Sequence, residues 1–151
     1  MAERTLVIFK PDALQRRLVG RILARFEDKG LKIAALKLMQ IPRELAERHY
    51  EPHKDKPFFG PLVAFMTKAP VIVLVLEGSR VVEVTRKMMG ATFGYKAEPG
   101  TIRGDYGISN QFNLVHGSDA PESAEREIGL FVPEGGLVEY GMTDEAWLAD
   151  E

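Results

Sequence analysis

One histidine, His116, lies in a setting where it could act as a nucleophile. It follows Asn113 at the end of a short predicted strand and precedes Gly117, Ser118 and Asp119, where a helix is predicted to begin. The glycine leaves space beside the ring, and the free N–H groups of a helix start attract anions. An imidazole held there could attack phosphorus. The same pattern also fits an ordinary strand-end histidine whose neighbours serve only as helix caps.

A carboxylate on the next predicted helix is a candidate partner for this imidazole. On a helical projection Glu127 falls between Leu130 and Phe131, on the apolar side. A buried carboxylate is costly unless it is paired. A hydrogen bond to His116 would fix the tautomer and leave the other ring nitrogen free to attack. Pairing with Arg126, Lys10 or water remains an equal alternative.

Three basic side chains are candidates for holding phosphate. Arg86 projects to the edge of an apolar helix stripe, so we expect it to be half-buried; Arg103 lies in a glycine-rich loop, and Lys10 ends the first strand. Guanidinium forks and an ammonium group are what a phosphoryl-transfer site needs. Each of them could equally be a solvated surface charge. Spacing alone does not show whether they converge.

Other kinds of site are missing from the sequence. It contains neither a glycine-cradled P-loop nor a dinucleotide-binding glycine motif, and no cysteine for a disulfide or thiolate metal site. The net charge of −2 and pI of about 6.0 argue against a nucleic-acid partner. The longest apolar run, 69–76, is too short for a membrane span, and the N-terminus lacks the features of a secretory signal. We therefore expect a cytoplasmic protein with no membrane partner.

The hydrophobic pattern predicts alternating strands and helices around these residues. Gly30 is expected to end the first helix, and the glycine-rich stretch 90–109 is expected to be an irregular, functional loop. The predicted strands are 5–10, 31–41, 70–76 and 114–116. The predicted helices are 19–26, 43–50, a second short helix that carries Leu62, Phe65 and Met66, 80–89 and 121–131.

This order favours an α+β fold, a ferredoxin-like sandwich in which helices pack on one face of a small antiparallel sheet. We expect residues 1–151 to form a single domain, because no linker or repeat interrupts them. After Phe131 the chain is acidic and interrupted by proline and glycine. Segment 132–151 is expected to wrap the surface or a neighbouring subunit.

Six motifs in the same order make the chain resemble the nucleoside diphosphate kinase family, from Glu3 to about Tyr140. The signature Asn-x-x-His-Gly-Ser-Asp is complete. A single motif of this kind would be weak evidence for a family, but six motifs in the same order are specific evidence. The motifs are Lys10–Asp12, Tyr50 with His53-Lys54, Pro57–Phe59, Met89–Thr92, Gly100–Arg103 and Asn113–Asp119.

The resemblance implies a ping-pong reaction in which a nucleoside triphosphate phosphorylates His116 and the phosphate then passes to a nucleoside diphosphate. It implies that Ser118 hydrogen-bonds Glu127, which orients the imidazole, while Tyr50 supports His116 and the transferred group. No protein cage for a metal is implied, since Mg²⁺ is expected to arrive with the nucleotide. ATP and other nucleoside di- and triphosphates are the implied partners.

The resemblance also assigns the nucleotide contacts. Phe58 should stack on the base, with Leu62 on the other side of the cleft. Lys10 and Asn113 should contact the ribose hydroxyls, with Lys10 also reaching the phosphates. The phosphates should be held by Arg86, Thr92 and Arg103.

One segment departs from the family pattern. After Met89–Thr92 the chain continues Phe93-Gly94-Tyr95 where an Asn-Pro turn is common. In the family this loop also contributes to subunit contacts, so the assembly contacts are less certain than the catalytic ones. The length of the tail favours a homo-oligomer of the hexameric rather than the tetrameric kind.

Two other functions fit parts of the sequence. A protein-histidine phosphotransferase would use His116 without a nucleotide cycle, but a complete nucleotide cleft would then have no purpose. Ferredoxin-like sheets also bind RNA through exposed aromatic residues on their strands. The first and third predicted strands show no such platform and are expected to be buried on both faces.

Overall fold

The computed structural model describes residues 2–149, and within that range it has four strands, seven α-helices and three short 3-10 helices. The strands are β1 (Glu3–Phe9), β2 (Lys32–Met39), β3 (Val71–Gly78) and β4 (Val115–Gly117). The helices are α1 (Pro11–Gln15), α2 (Val19–Asp28), α3 (Arg43–His49), α4 (Phe59–Lys68), α5 (Val81–Met89), α6 (Ile102–Tyr106) and α7 (Pro121–Phe131).

The four strands form one antiparallel sheet in the order β2-β3-β1-β4. The central strand β1 carries Leu6, Val7, Ile8 and Phe9 in succession, and none of them is exposed. Successive strand residues point to opposite faces, so an unbroken apolar run requires cover on both sides. The register pairs Ile8 with His116, which places the imidazole on the same face as Ile8.

Helices therefore cover both faces of the sheet, and the prediction that they occupy one face is wrong. Leu6 and Ile8 belong to a core with residues of α3, α4 and α7. Val7 and Phe9 belong to a second core with residues of α2, α5 and α6. The ferredoxin-like α+β architecture itself is confirmed.

Two short helices were not predicted. The α1 helix begins at Pro11, a residue favoured at the first helical position. The α6 helix lies inside the stretch predicted as irregular, and the Thr101 side chain caps it by accepting a hydrogen bond from the amide of Gly104 at 3.0 Å. Each helix has five residues, which is too short to show a helical period in the sequence.

The segment after α7 returns along β2. The amide of Val138 donates to the carbonyl of Ala34 at 2.9 Å, and the hydroxyl of Tyr140 donates to the carbonyl of Ile33. Between this segment and the sheet lies a cavity of about 500 Å³, which Ala2 and Ala149 both line. No helix within residues 2–149 is long and apolar enough to cross a membrane.

Candidate active site

His116 lies in the middle of β4, where α7 presents a carboxylate to it. Its Nε2 is 2.8 Å from Oε1 of Glu127. An ionised carboxylate only accepts hydrogen bonds, so this contact assigns the ring proton to Nε2. The other nitrogen, Nδ1, then keeps its lone pair.

Glu127 is the buried anchor of this arrangement. It is 7% exposed, and the same Oε1 also accepts a hydrogen bond from Oγ of Ser118 at 2.7 Å. Of the partners left open by the sequence, the structure brings His116 to Glu127. Arg126 instead donates to the backbone carbonyls of Arg48 and His49.

A second histidine, His49, packs against His116. The ring of His49 meets that of His116 edge to face, with centroids 4.6 Å apart, and it also contacts Phe131 and Tyr50. Burial, followed by the charge of His116, lowers the pKa of His49 to about 2. The His49 side chain is therefore uncharged at neutral pH. Sequence reasoning did not connect His49 with the site, because this contact joins elements that are distant in the chain.

The ring of Tyr50 packs against that of His49, and its hydroxyl is buried. The residue is 6% exposed, and its OH has no hydrogen-bond partner within residues 2–149. Burial raises the pKa of Tyr50, so the phenol keeps its proton. A buried donor of this kind is costly unless a ligand can accept from it.

Arg86 and Arg103 each donate a hydrogen bond to a backbone carbonyl next to His116. Nη2 of Arg103 is 2.6 Å from the carbonyl oxygen of Val115, and Nη1 of Arg86 is 3.2 Å from that of Gly117. Arg103 is buried, but Arg86 is exposed, so the expectation of a half-buried Arg86 is wrong.

The glycine next to His116 has a packing role. A Cβ at Gly117 would lie 2.5 Å from Sδ of Met89. The missing side chain therefore lets β4 approach α5 closely, which brings Arg86 within reach of the strand.

Lys10 completes a cluster of three cations. Its Nζ donates to Oδ1 of Asn113 at 2.7 Å, and burial and the charge of Arg103 lower its pKa to about 8. Burial and the charge of Arg86 lower the pKa of Arg103 to about 10. The three predicted cations thus converge closely enough to repel one another. An anion placed among them would relieve that repulsion.

Asn113 and Thr92 join this cluster to the loop after α5. Nδ2 of Asn113 donates to the carbonyl oxygen of Thr92 at 3.1 Å, while the Thr92 residue is exposed. The amide of Asn113 is thereby fixed at both ends, since its oxygen accepts from Lys10.

Phe58 presents an open aromatic face at the start of α4. It is 48% exposed, and its ring centroid is 5.5 Å from that of His53. Leu62 follows it by one helical turn, with its amide bonded to the Phe58 carbonyl at 2.9 Å. Residues four apart lie on the same helix face, so the prediction that Leu62 faces Phe58 across the cleft is wrong. Leu62 instead packs at the rim of the core below Phe58.

The described residues offer no oxygen cage for Mg²⁺ in this cleft. The one His/Asp/Glu group compact enough for a metal within residues 2–149 is His49, His116 and Glu127, whose ligand atoms lie within 4.8 Å of one another. Mg²⁺ prefers six oxygen ligands and usually binds with phosphates.

Comparison with known proteins identifies close relatives. A family model described as nucleoside diphosphate kinase matches residues 3–136. A nucleoside diphosphate kinase of Pelotomaculum thermopropionicum is 55% identical over 146 residues, covering 97% of this chain and 98% of the relative. The structure of a halophilic nucleoside diphosphate kinase from Halobacterium salinarum in complex with CDP superimposes with a TM-score of 0.96 at 47% identity, over 99% of this chain and 100% of that one. A structure of a nucleoside diphosphate kinase family protein from Babesia bovis gives a TM-score of 0.93 at 41% identity, over 96% and 98%.

Proposed function

The chain belongs to the nucleoside diphosphate kinase family, whose reaction exchanges terminal phosphates between nucleotides in two half-reactions, and we propose that His116 is the residue that carries the phosphate. One observation supports this assignment above the others. No hydrogen bond from residues 2–149 reaches Nδ1 of His116, which keeps its lone pair, and guanidinium groups donate to the carbonyls of Val115 and Gly117 on either side of this histidine.

In the first half-reaction, Nδ1 of His116 attacks the terminal phosphorus of a nucleoside triphosphate. An N–P bond forms, the bond from phosphorus to the bridging oxygen breaks, and the nucleoside diphosphate leaves with that electron pair. The proton on Nε2 stays hydrogen-bonded to Glu127, which offsets the positive charge that develops on the ring.

In the second half-reaction, a terminal phosphate oxygen of another nucleoside diphosphate attacks the phosphohistidine. The N–P bond breaks and Nδ1 recovers its lone pair, so the enzyme returns to its starting state. The same cations serve both directions, because the charge on the transferred group is similar in each.

The cluster of Lys10, Arg86 and Arg103 accounts for phosphate binding in this proposal. Tyr50 supplies a neutral donor to the transferred group, and the Thr92 segment closes the phosphate end of the cleft. Lys10 and Asn113, already bonded to each other at 2.7 Å, would share the ribose hydroxyls. A bound Mg²⁺ would neutralise charge on the phosphate oxygens without a protein ligand of its own.

Phe58 is the proposed platform for the base. An exposed aromatic face stacks on any base, and such stacking is worth about 1–3 kcal/mol with little preference among bases. The CDP named in the Halobacterium salinarum structure is consistent with a pyrimidine nucleotide in this cleft.

We further propose that the chain acts as one domain in a cytoplasmic homo-oligomer, with six subunits favoured over four. Exposed apolar side chains of the loop after α5 support subunit contacts: Phe93 is 43% exposed and Tyr95 is 59% exposed. The segment after α7 lies along β2 of its own chain, where it can also meet a neighbour.

Incubation with γ-labelled ATP and magnesium tests the nucleophile. Label should attach to the protein as an acid-labile, base-stable phosphate, leave when CDP is added, and require His116 in a His116→Ala comparison. Chelation of magnesium should prevent labelling. Label that persists in His116→Ala would overturn the assignment, and label that passes only to another protein, not to CDP, would favour the phosphotransferase reading.

A further inference from the structure

Leu114, two residues before His116, has a backbone conformation that leucine rarely adopts. Its φ is +71°, and its side chain is wholly buried. A hydrogen bond of 2.8 Å from the amide of Val115 to the carbonyl of Asn113 closes a tight three-residue turn around it. Such a conformation costs roughly 1–3 kcal/mol and persists only where the surroundings fix it.

The segment from Lys10 to Asp12 holds both polar groups of Leu114. Its amide donates to Oδ2 of Asp12 at 3.1 Å, and its carbonyl accepts from the backbone amide of Lys10 at 2.8 Å. The side chain is packed in the core shared with Phe9. Apart from Asp12, no side chain within residues 2–149 accepts the amide of Leu114.

The turn lies between two residues of the proposed site. Asn113 precedes it and bonds Lys10, while His116 follows it by two residues in β4. A change at Leu114 would therefore move the ribose contact and the nucleophile together. A misplacement of about 1 Å can cost roughly 10²-fold in rate.

We propose that Asp12 is a positioning residue whose carboxylate clamps the turn at Leu114 and so sets where His116 and Asn113 stand. Asp12 does not itself reach the transferred phosphate in this role. The kinetic part of the proposal rests on the function proposed for His116.

The surroundings of Asp12 agree with a structural acceptor. Burial raises its pKa, while the hydrogen bond from Leu114 and the charge of Lys10 act against that rise. Its other oxygen, Oδ1, is buried and has no hydrogen-bond partner in the described part of the chain. What the turn requires is an oxygen that accepts a hydrogen bond, which an amide side chain can also supply.

The test compares substitutions that keep or remove this acceptor. Asp12→Asn retains an oxygen at the same reach, whereas Asp12→Leu and Asp12→Ala do not. Single-turnover phosphorylation by saturating ATP should be slowed about tenfold or more in Asp12→Leu and Asp12→Ala, and by no more than about threefold in Asp12→Asn. Hydrogen exchange of the Leu114 amide should accelerate in the first two and stay slow in Asp12→Asn.

Glu3 offers a matched control. Its Oε2 accepts from the amide of Val82 at 2.9 Å at the far end of β1. Glu3→Met removes a similar acceptor and should leave the phosphorylation rate of the folded protein unchanged.

Three results would overturn the clamp: a wild-type rate in folded Asp12→Leu, equal losses in Asp12→Asn and Asp12→Leu, or an equal loss in Glu3→Met. The exchange of the Leu114 amide reports on the clamp without any phosphate. If the Leu114 amide exchanges faster in Asp12→Leu but the wild-type protein is not phosphorylated, only the proposed function is contradicted. If Asp12→Leu keeps normal activity and its Leu114 amide exchanges as slowly as in the wild type, only the clamp is contradicted.

Discussion

At the residue scale, hydrogen bonding decides which nitrogen of His116 can react. One carboxylate oxygen of Glu127 receives both the ring N–H and the hydroxyl of Ser118. The imidazole ring cannot flip without breaking its hydrogen bond to Glu127. The hydrogen bond from Ser118 holds the carboxylate in place. In the proposed mechanism this pair orients the imidazole and removes no proton from it.

Substitutions at Glu127 and Ser118 should separate these two contributions. Glu127→Ala leaves the ring N–H without its partner and should slow phosphorylation of the enzyme by roughly 10²- to 10⁴-fold, because the tautomer and orientation of the ring are no longer fixed. Ser118→Ala removes only the support and should cost about fivefold, which corresponds to about 1 kcal/mol. Rapid-quench measurement of phosphohistidine formation checks both values. A larger loss in Ser118→Ala than in Glu127→Ala would contradict this order.

The lowered pKa of Lys10 predicts opposite effects of pH on activity and stability. Burial brings it to about 8, so kcat/KM should fall as the pH rises above about 8 and the ammonium is lost. Between about 8 and 10.5 the unfolded chain binds a proton that the folded chain lacks, so the free energy of unfolding should rise with pH in that window.

Lys10→Arg provides the comparison, because a guanidinium stays charged throughout this range. Rate profiles and urea unfolding at a series of pH values should lose both trends in this variant. A descending limb of kcat/KM that keeps its position in Lys10→Arg would show that another group titrates.

Residue types identified much of the candidate site before any coordinates. Glu127 could be paired with His116 because a carboxylate on an apolar helix face needs a partner. His49 and the exposed position of Arg86 could not be foreseen, since both depend on how distant elements pack against β4. The position of Leu62 opposite Phe58 was taken from the family resemblance, which did not show that Leu62 follows Phe58 by one turn of the same helix.

At the element scale, Arg103 ties the loop after α5 to β4. Its guanidinium donates to the carbonyls of Gly90, Asn113 and Val115 at 3.1, 3.1 and 2.6 Å. The loop therefore has an internal frame, although its sequence is rich in glycine and shows no period. Sequence reasoning identified this stretch as functional but not the α6 helix that carries Arg103, because that helix spans little more than one turn.

Replacing Arg103 by lysine should destabilise the protein by about 3 kcal/mol, since one ammonium cannot reach three buried carbonyls. Urea unfolding measures this loss. Arg25→Lys is a matched control, because Arg25 reaches the same loop at the carbonyl of Gly100 (3.1 Å) and at Asp105 from a more exposed position. It should cost less than about 1 kcal/mol. Equal losses in the two variants would rule out Arg103 as the central anchor.

At the scale of the whole molecule, the fold class followed from the sequence more readily than the layers did. The alternation of strands and helices predicted the ferredoxin-like arrangement. The antiparallel pairing of neighbouring strands agrees with it. The second helical layer was already indicated by the unbroken apolar run from Leu6 to Phe9, which leaves no face for water. Inter-subunit contacts have no comparable signal in a single chain.

The proposed assembly predicts a particle of six chains of 16.9 kDa, about 101 kDa, in light scattering coupled to size exclusion. Phe93→Ser and Tyr95→Ser remove exposed apolar area from the loop after α5 and should lower the mass at micromolar concentration. Phe58→Ser removes a similarly exposed ring from the cleft and should leave the mass unchanged. A monomeric wild type, or equal dissociation in all three, would contradict the proposed role of this loop.

The cavity beneath the segment after α7 has a consequence for protein engineering. Because Ala2 and Ala149 both line it, the two ends of the described chain lie on the same side of the molecule, at a cavity that His116 does not line. Close termini are what circular permutation requires. A short glycine-rich linker could join them, with new ends opened at the exposed turn around Arg17, and the rearranged polypeptide would keep every strand pairing described above.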